Sequence, residues 1–396
     1  MIPRFCRWGE GCFSVASNNV INFRFQFFIT LHVDDLSLLE FIQKSLNIGK
    51  VIVKHSRKDA VFVVSKLHEI GQIIDIFSRS PLNSTKQLNF LSFKKAYELY
   101  TSASDKSVVR EEINSIINGL NSKRSDFSID ECHKFRITNY WLLGFVEGEG
   151  TFSVVKTTKE NYRMSFTISQ SSRDLALMEA IQNFLNQLSE KSPKDIAANL
   201  HINKTLPNFP FDLITVTINQ ALYISNVIIP WLDSLTFLSK KELDYEDWKL
   251  VSKFKKLGLH YTEEGIEVLN IILGRMNSKR LTTFKGNANK SKEGDILTLR
   301  SRIEKLLSGP SNLEVKGDGR IFIKSLNKYY SPRRKISVGV KDGNGLVLGT
   351  FDSIASCAAF LGCSRMLVMA RLKDQKPAVI NNQIFHVIKH EVEVES

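Results

Sequence analysis

Between Tyr162 and Gln170 apolar and polar residues alternate, with Met164, Phe166 and Ile168 on one side and Arg163, Ser165, Thr167 and Ser169 on the other. A period of two predicts a strand with one buried face. The same pattern occurs earlier, with Phe25, Phe27 and Ile29 inward and Arg24, Gln26 and Thr30 outward. A shorter strand should precede each of these, directly after a Gly-Glu-Gly, with Phe152 and Val154 sharing a face in the later copy. An amphipathic helix should follow each, over 35–46 and 174–185. Further strand-like runs come next, at 49–53 and 60–65 and again at 199–204 and 212–219.

These two regions are copies of one unit. A shift of 139 positions lays Gly9-Glu10-Gly11-Cys12-Phe13-Ser14-Val15 on Gly148-Glu149-Gly150-Thr151-Phe152-Ser153-Val154. Without a gap, the shift also pairs Asn22, Arg24, Phe27 and Ile29 with Asn161, Arg163, Phe166 and Ile168. It continues through Asp35, Leu36, Leu38, Glu40 and Ile42, which meet Asp174, Leu175, Leu177, Glu179 and Ile181. Chance does not hold register this long. The expected fold is therefore α+β, from two pseudo-symmetric α/β units. A sheet's polar face is ordinarily just solvated. Two such faces on one duplicated, basic chain favour a saddle for DNA, with Arg24, Gln26, Arg163, Ser165 and Thr167 as its contacts.

Charge sharpens this. The 396 residues carry 54 Lys and Arg against 41 Asp and Glu, a net +13 that suits a polyanionic partner. No apolar run approaches the ~20 residues of a membrane helix, so a soluble protein with no membrane partner is expected. No export signal or import peptide is expected at 1–15. Five cysteines without a CxxC pair argue against a zinc site or disulfide framework. Phe is abundant (26) and Gly (21) and Pro (9) are few, the bias of an A+T-rich coding sequence.

Before the second Gly-Glu-Gly stands Tyr140-Trp141-Leu142-Leu143-Gly144-Phe145-Val146-Glu147-Gly148-Glu149-Gly150, a short apolar helix that Thr138 or Asn139 can cap. Gly144 and Gly148 lie four apart on one stripe, so another helix can approach closely there. Two such helices side by side would bring two terminal carboxylates together, which is costly unless a cation sits between them. Hard oxygen ligands with open positions suit Mg²⁺, which can activate water for phosphodiester hydrolysis.

The run from Trp141 to Phe152 resembles the LAGLIDADG motif of homing endonucleases and maturases, and the resemblance covers roughly residues 9–285. It implies a single-chain, two-motif nuclease, acting as a monomer with internal pseudo-twofold symmetry on double-stranded DNA. By that resemblance Glu10 and Glu149 bind the metal at the cleavage centre. The resemblance also implies a lysine beside the scissile phosphates near the end of each copy. Lys86, in Leu82-Asn83-Ser84-Thr85-Lys86, and Lys241, in Leu238-Ser239-Lys240-Lys241, match it, with Lys240 as a further DNA contact. Host-intron RNA is the alternative partner, since maturases share the motif, and the mitochondrion is the implied compartment.

The first copy departs from the pattern. The shift lays Met1 to Trp8 on the motif helix, yet Phe5 stands where Gly144 should be, and Trp8 replaces Glu147. Pro3, Arg4 and Arg7 interrupt the apolar run, so this motif reads as degraded or as cut by the assigned start.

Beyond the second copy, 286–334 is polar and reads as a linker with one helix over 295–307. A hairpin turning at Asp342-Gly343-Asn344-Gly345 follows. Asp352 should then cap a helix to about Leu361, Gly362 should turn the chain, and Ser364 should open a second helix. This spacing suits a helix-turn-helix. The segment resembles the modular DNA-binding domain found behind homing endonucleases, and Arg365 and Arg371 would reach groove or phosphates. The expected domains are 1–125, 135–285, the linker 286–334, and the module 335–390.

Overall fold

The structure is a computed structural model that describes residues 11–17, 22–130, 133–158, 160–189, 197–203, 212–282, 293–330, 337–351, 353–380 and 383–390. The chain divides into two compact units, Met1–Leu313 and Glu314–Ser396.

The first unit contains the repeat. Its first half runs β1 (Gly11–Ser17), β2 (Phe23–His32), α1 (Leu36–Leu46), β3 (Lys50–Lys54), β4 (Asp59–Val64), α2 (Leu67–Arg79), α3 (Lys86–Ser102) and α4 (Arg110–Asn118). The second half opens with α5 (Asn139–Glu149), β5 (Gly150–Thr158), β6 (Asn161–Ser171), α6 (Leu175–Gln187), β7 (Ala198–Asn203) and β8 (Leu213–Ile218). It closes with α7 (Ala221–Tyr223), a π turn, α8 (Ile229–Asp233), α9 (Lys241–Lys256) and α10 (Glu263–Leu273). The sheets have the same antiparallel order, β1-β2-β4-β3 and β5-β6-β8-β7.

Alternation along β2 and β6 is as expected, with every second side chain buried. Phe13 and Phe152, equivalent by the 139 shift, each centre an aromatic cluster. The Phe13 ring lies 5.2 Å from Phe27 and 5.3 Å from Phe93, and the Phe152 ring 5.4 Å from Phe166 and 5.3 Å from Trp248. Tilted and stacked rings at this separation add to what their buried area contributes. The same cluster in each half holds helices on one sheet face and leaves the other face outward.

The segment expected as a linker is more structured than that. Its predicted helix is α11 (Glu293–Ser308), whose Leu299 is buried in the core of the first unit, and Arg302 pairs with Glu267 of α10 at 2.8 Å. The Asn312 side chain donates to the Gly258 carbonyl (2.9 Å), fixing the end of the segment. An apolar stripe within a polar stretch made the helix dock. Three short strands follow, β9 (Leu313–Val315), β10 (Ile321–Ile323) and β11 (Lys328–Tyr329), which the sequence reading missed.

The second unit bears out the hairpin, as β12 (Ser337–Asp342) and β13 (Val347–Phe351), and the helix pair, as α12 (Ile354–Leu361) and α13 (Arg365–Asp374). Gly362 turns the chain at φ +63°, a conformation that glycine adopts without steric cost. Ser364 caps α13, accepting from the Leu367 N–H. The cap of α12 is Ser353, whose hydroxyl accepts from the Ser356 N–H (3.1 Å); Asp352 lies outside the described residues. Two unpredicted strands, β14 (Ala378–Ile380) and β15 (Gln383–His390), complete a sheet of order β13-β12-β15-β14. Among the described residues no single helix is long and apolar enough to cross a membrane.

Candidate active site and nucleic-acid face

Helix α5 is apolar almost all round, and Trp141 to Glu147 are buried. Thr138 starts it, its hydroxyl accepting from the Trp141 N–H (3.2 Å). The expected partner of Gly144 and Gly148 is the first-copy helix, which falls within residues 1–10 and so, with Glu10, lies outside the described residues.

The two acids of α5 have different environments. Glu147 is buried and accepts from the Leu238 and Ser239 N–H groups, both at 2.7 Å, fixing the turn before α9. Glu149 sits half-buried at the helix end. The chain turns at once into β5, and a Cβ on Gly150 would stand 2.6 Å from the Val146 carbonyl oxygen. Glycine is therefore required immediately after Glu149.

Lys241 and Lys86 are the first residues of α9 and α3. The Lys241 ammonium donates to the Gly150 carbonyl at 2.9 Å, and the Lys86 ammonium to the Gly11 carbonyl at 2.8 Å. Each lysine is thus tied to the residue that follows a motif glutamate. Both helix starts are built alike, since Ser239 and Ser84 hydroxyls accept from the Lys241 and Lys86 N–H groups (3.3 and 3.4 Å). The sequence placed these lysines at matched sites, and the structure brings Lys241 to the helix end that carries Glu149.

Reciprocal contacts between the halves hold these helix starts. Asp174 of the second half accepts from the Thr85 N–H (2.6 Å) and hydroxyl (3.3 Å), one residue before Lys86. Asp35 of the first half accepts from the Lys240 N–H (3.0 Å), one residue before Lys241. Burial pushes the Asp174 carboxyl above its usual range, against the opposing effect of the Thr85 hydrogen bonds. One residue earlier, Asp34 binds the N–H and hydroxyl of Thr282 (3.0 and 2.8 Å), and Arg173 lies over the Phe127 ring (4.7 Å). The repeat paired Asp35 with Asp174 in sequence. Their role, each capping the lysine-bearing helix of the opposite half, had no sequence signal.

Arg24 and Arg163 are exposed on the outward sheet faces, and Gln26, Ser165 and Thr167 are half-buried beside them. Ser165 shares a hydrogen bond with Ser153 across the strands (2.7 Å). Lys240 is exposed. In the second unit Arg365 is exposed at the start of α13, whereas Arg371 is half-buried and pairs with Asp374 at 3.1 Å, a turn away on the same helix.

Among the described residues no three His, Cys, Asp or Glu side chains gather as a metal cage. Mg²⁺ does not require one, since it keeps several waters and takes one or two carboxylates plus substrate phosphates. A half-buried Glu149 at a helix end fits such a donor set.

Residues 9–97 and 142–252 both match the family model for LAGLIDADG endonuclease. The chain is 25% identical over 94% of its length to the uncharacterized mitochondrial protein RF1 of Saccharomyces cerevisiae, covering 79% of that protein. It is 26% identical over 67% of its length to the probable intron-encoded endonuclease 3 of Neurospora crassa, of which it spans 52%. Among solved structures, it resembles the LAGLIDADG homing endonuclease I-GzeII in complex with its DNA target (TM-score 0.60, 25% identity, covering 70% of this chain and 98% of that one). I-LtrWI bound to target DNA is similar as well (TM-score 0.58, 25% identity, 70% and 97%).

Proposed function

The chain belongs to the LAGLIDADG endonuclease family, and we propose that it cuts both strands of a specific DNA sequence, with Glu149 and Glu10 as metal ligands and Lys241 and Lys86 beside the scissile phosphates. The observation that carries this reading is the bond from Lys241 to the Gly150 carbonyl, which sets an ammonium against the helix end that bears Glu149. The outward face of each sheet supplies the DNA contacts Arg24, Gln26, Arg163, Ser165 and Thr167, and Lys240, exposed at the start of α9, is a further one. Arg365 and Arg371 extend binding through the second unit.

In this mechanism Glu149 at the end of α5, together with Glu10, would offer hard oxygens to the metal, and Gly144 and Gly148 leave α5 a stripe on which a second motif helix could approach. Mg²⁺, when bound there, supplies Lewis acidity for the attacking water and the leaving oxygen. Lys241 and Lys86 balance negative charge as it grows on the phosphate, in a site where such donors act without reorganising. Asp35 and Asp174 hold the two lysine-bearing helices in place across the seam.

The protein is read as a monomer, since its own repeat provides both halves. The mitochondrial relative in yeast agrees with a mitochondrial location. Assistance to intron RNA is the less favoured reading, because relatives are named as endonucleases and similar structures hold DNA.

Purified full chain with Mg²⁺ should enrich one sequence from random duplexes and cut both strands of it. Glu149→Gln, which removes a proposed ligand itself, should lower cutting by more than the about 10- to 100-fold that loss of a group supporting a ligand costs, while duplex binding persists. Cutting at the wild-type rate would remove Glu149 from the metal role. Failure to enrich any sequence would remove the site-specific reading.

A further inference from the structure

The outward faces of the two sheets differ in chemistry row by row. Strand register places Phe28 beside Val63, and Val63 beside Lys50. The corresponding row of the second half is Thr167, Thr217 and Asn199. In the next row Thr30, Val61 and Ile52 correspond to Ser169, Thr215 and His201. Phe28, Val61, Val63 and Ile52 stand on the side opposite Phe27, Ile29, Phe62 and Val64, and none of the four belongs to the core cluster that those residues form. Ile52 is 38% exposed, while Val61 (7%) and Val63 (8%) form the floor of the stripe. Lys50, Lys54 and Arg24, all exposed, flank it. The second face has no such stripe, and its hydroxyls join in pairs, Ser153 with Ser165 (2.7 Å) and Ser169 with Thr215 (3.0 Å).

We infer that the first sheet reads its half of the DNA target through thymine methyl groups packed on Phe28 and Ile52, which Val61 and Val63 support from below, whereas the second sheet reads its half by hydrogen bonds. The inference rests on the DNA-cutting reading above and adds the base chemistry of the target. The thymine C5-methyl is the apolar group that the major groove offers, and side chains such as Phe contact it. An apolar row against any other base edge would leave groove donors or acceptors desolvated without partners, so it discriminates by penalty as well as by contact. Flanking cations provide the charge complement that a duplex requires, and the stripe is continuous with the outward faces assigned to DNA. The target should therefore be asymmetric, with thymines clustered on one side.

The test uses full-chain protein and the duplex it enriches from random sequence. Each thymidine is replaced singly by deoxyuridine, which removes only the methyl. In one half-site each replacement under the stripe should weaken binding by about 4-fold, the effect of losing one buried methyl-sized group. In the other half-site the replacements should be neutral. Repeating the enrichment with Phe28→Thr and Ile52→His combined should abolish the thymine preference on that same side alone. Uniformly neutral replacement would overturn the inference, and needs no variant that could misfold. So would methyl effects in the half-site that the double variant leaves untouched, or a stripe required only for association of two copies in sedimentation. If no sequence is enriched, the DNA-cutting reading itself fails, an outcome distinct from enrichment with silent methyls.

Discussion

In the first half Arg124 donates to Asn89 (2.9 Å) and Ser92 (2.6 Å), whereas in the second Arg280 donates to Asp244 (2.8 Å) and Asp247. The backbone around the two arginines is the same. Asn121 and Asn277 both adopt positive φ (56° and 57°), and their side chains donate to the carbonyls of the equivalent Phe13 (2.7 Å) and Phe152 (3.0 Å). One clamp is neutral at its acceptors and the other carries two buried carboxylates, with Arg275 as a second cation (3.0 Å). The comparison separates two kinds of constraint. Hydrogen bonds to backbone fix the duplicated frame, while side-chain acceptors can change charge wherever the arginine stays satisfied. The sheets follow the same logic, with inward faces alike and outward faces free to diverge.

The largest effect should come from the clamps. Arg280→Ala leaves buried carboxylates short of a cation and should cost about 3 kcal/mol or more in urea unfolding. Arg124→Ala strands only neutral acceptors and should cost about 1–2 kcal/mol. Equal losses would mean that the charge difference has no energetic consequence.

Acid should act next, and on the second half. His260 is buried, and burial, with Lys255 nearby, lowers its pKa from 6.5 to about 4. Folded protein thus binds fewer protons than unfolded chain between these values. Its contribution is present above 6.5 and lost as pH falls toward 4, up to about 3 kcal/mol. Asp174 runs the other way: its raised carboxyl is least unfavourable below the ordinary 3.8 and loses stability as pH rises. Hydrogen exchange from pH 7 to 4.5 should show α9 and α10 opening before α3 and α4. His260→Gln should flatten that trend; an unchanged slope would mean another group is responsible.

The smallest difference concerns the reciprocal caps. Asp174→Ala removes the acceptor of two Thr85 bonds and should cost about 2 kcal/mol, while Asp35→Ala, losing the Lys240 bond, should cost about 1 kcal/mol. Cleavage by each variant should fall on the strand served by the lysine of the opposite half, Lys86 for Asp174 and Lys241 for Asp35. If both strands slow equally, the caps stabilise the seam without positioning either lysine.

Much of this was legible in the residue order. The 139 shift exposed the repeat, the paired strands β1-β2 and β5-β6 and the Glu149 helix end, because buried faces impose a period on sequence that survives duplication, whereas Lys86 and Lys241 stand 155 apart and were matched through the family resemblance. The second clamp was partly hidden. Asn121-Ser122-Lys123-Arg124 repeats Asn277-Ser278-Lys279-Arg280, but at a shift of 156, since the second copy is longer between its strands and its closing helices. Asp35 and Asp174 stood in the repeat without a visible purpose. Their partners lie 205 and 89 residues away, in the opposite half, so only the folded chain could pair them. Local pattern determined which side chains face inward. Tertiary structure decided which buried carboxylate meets which helix start, because a hydrogen bond depends on distance in space and leaves no period along the chain.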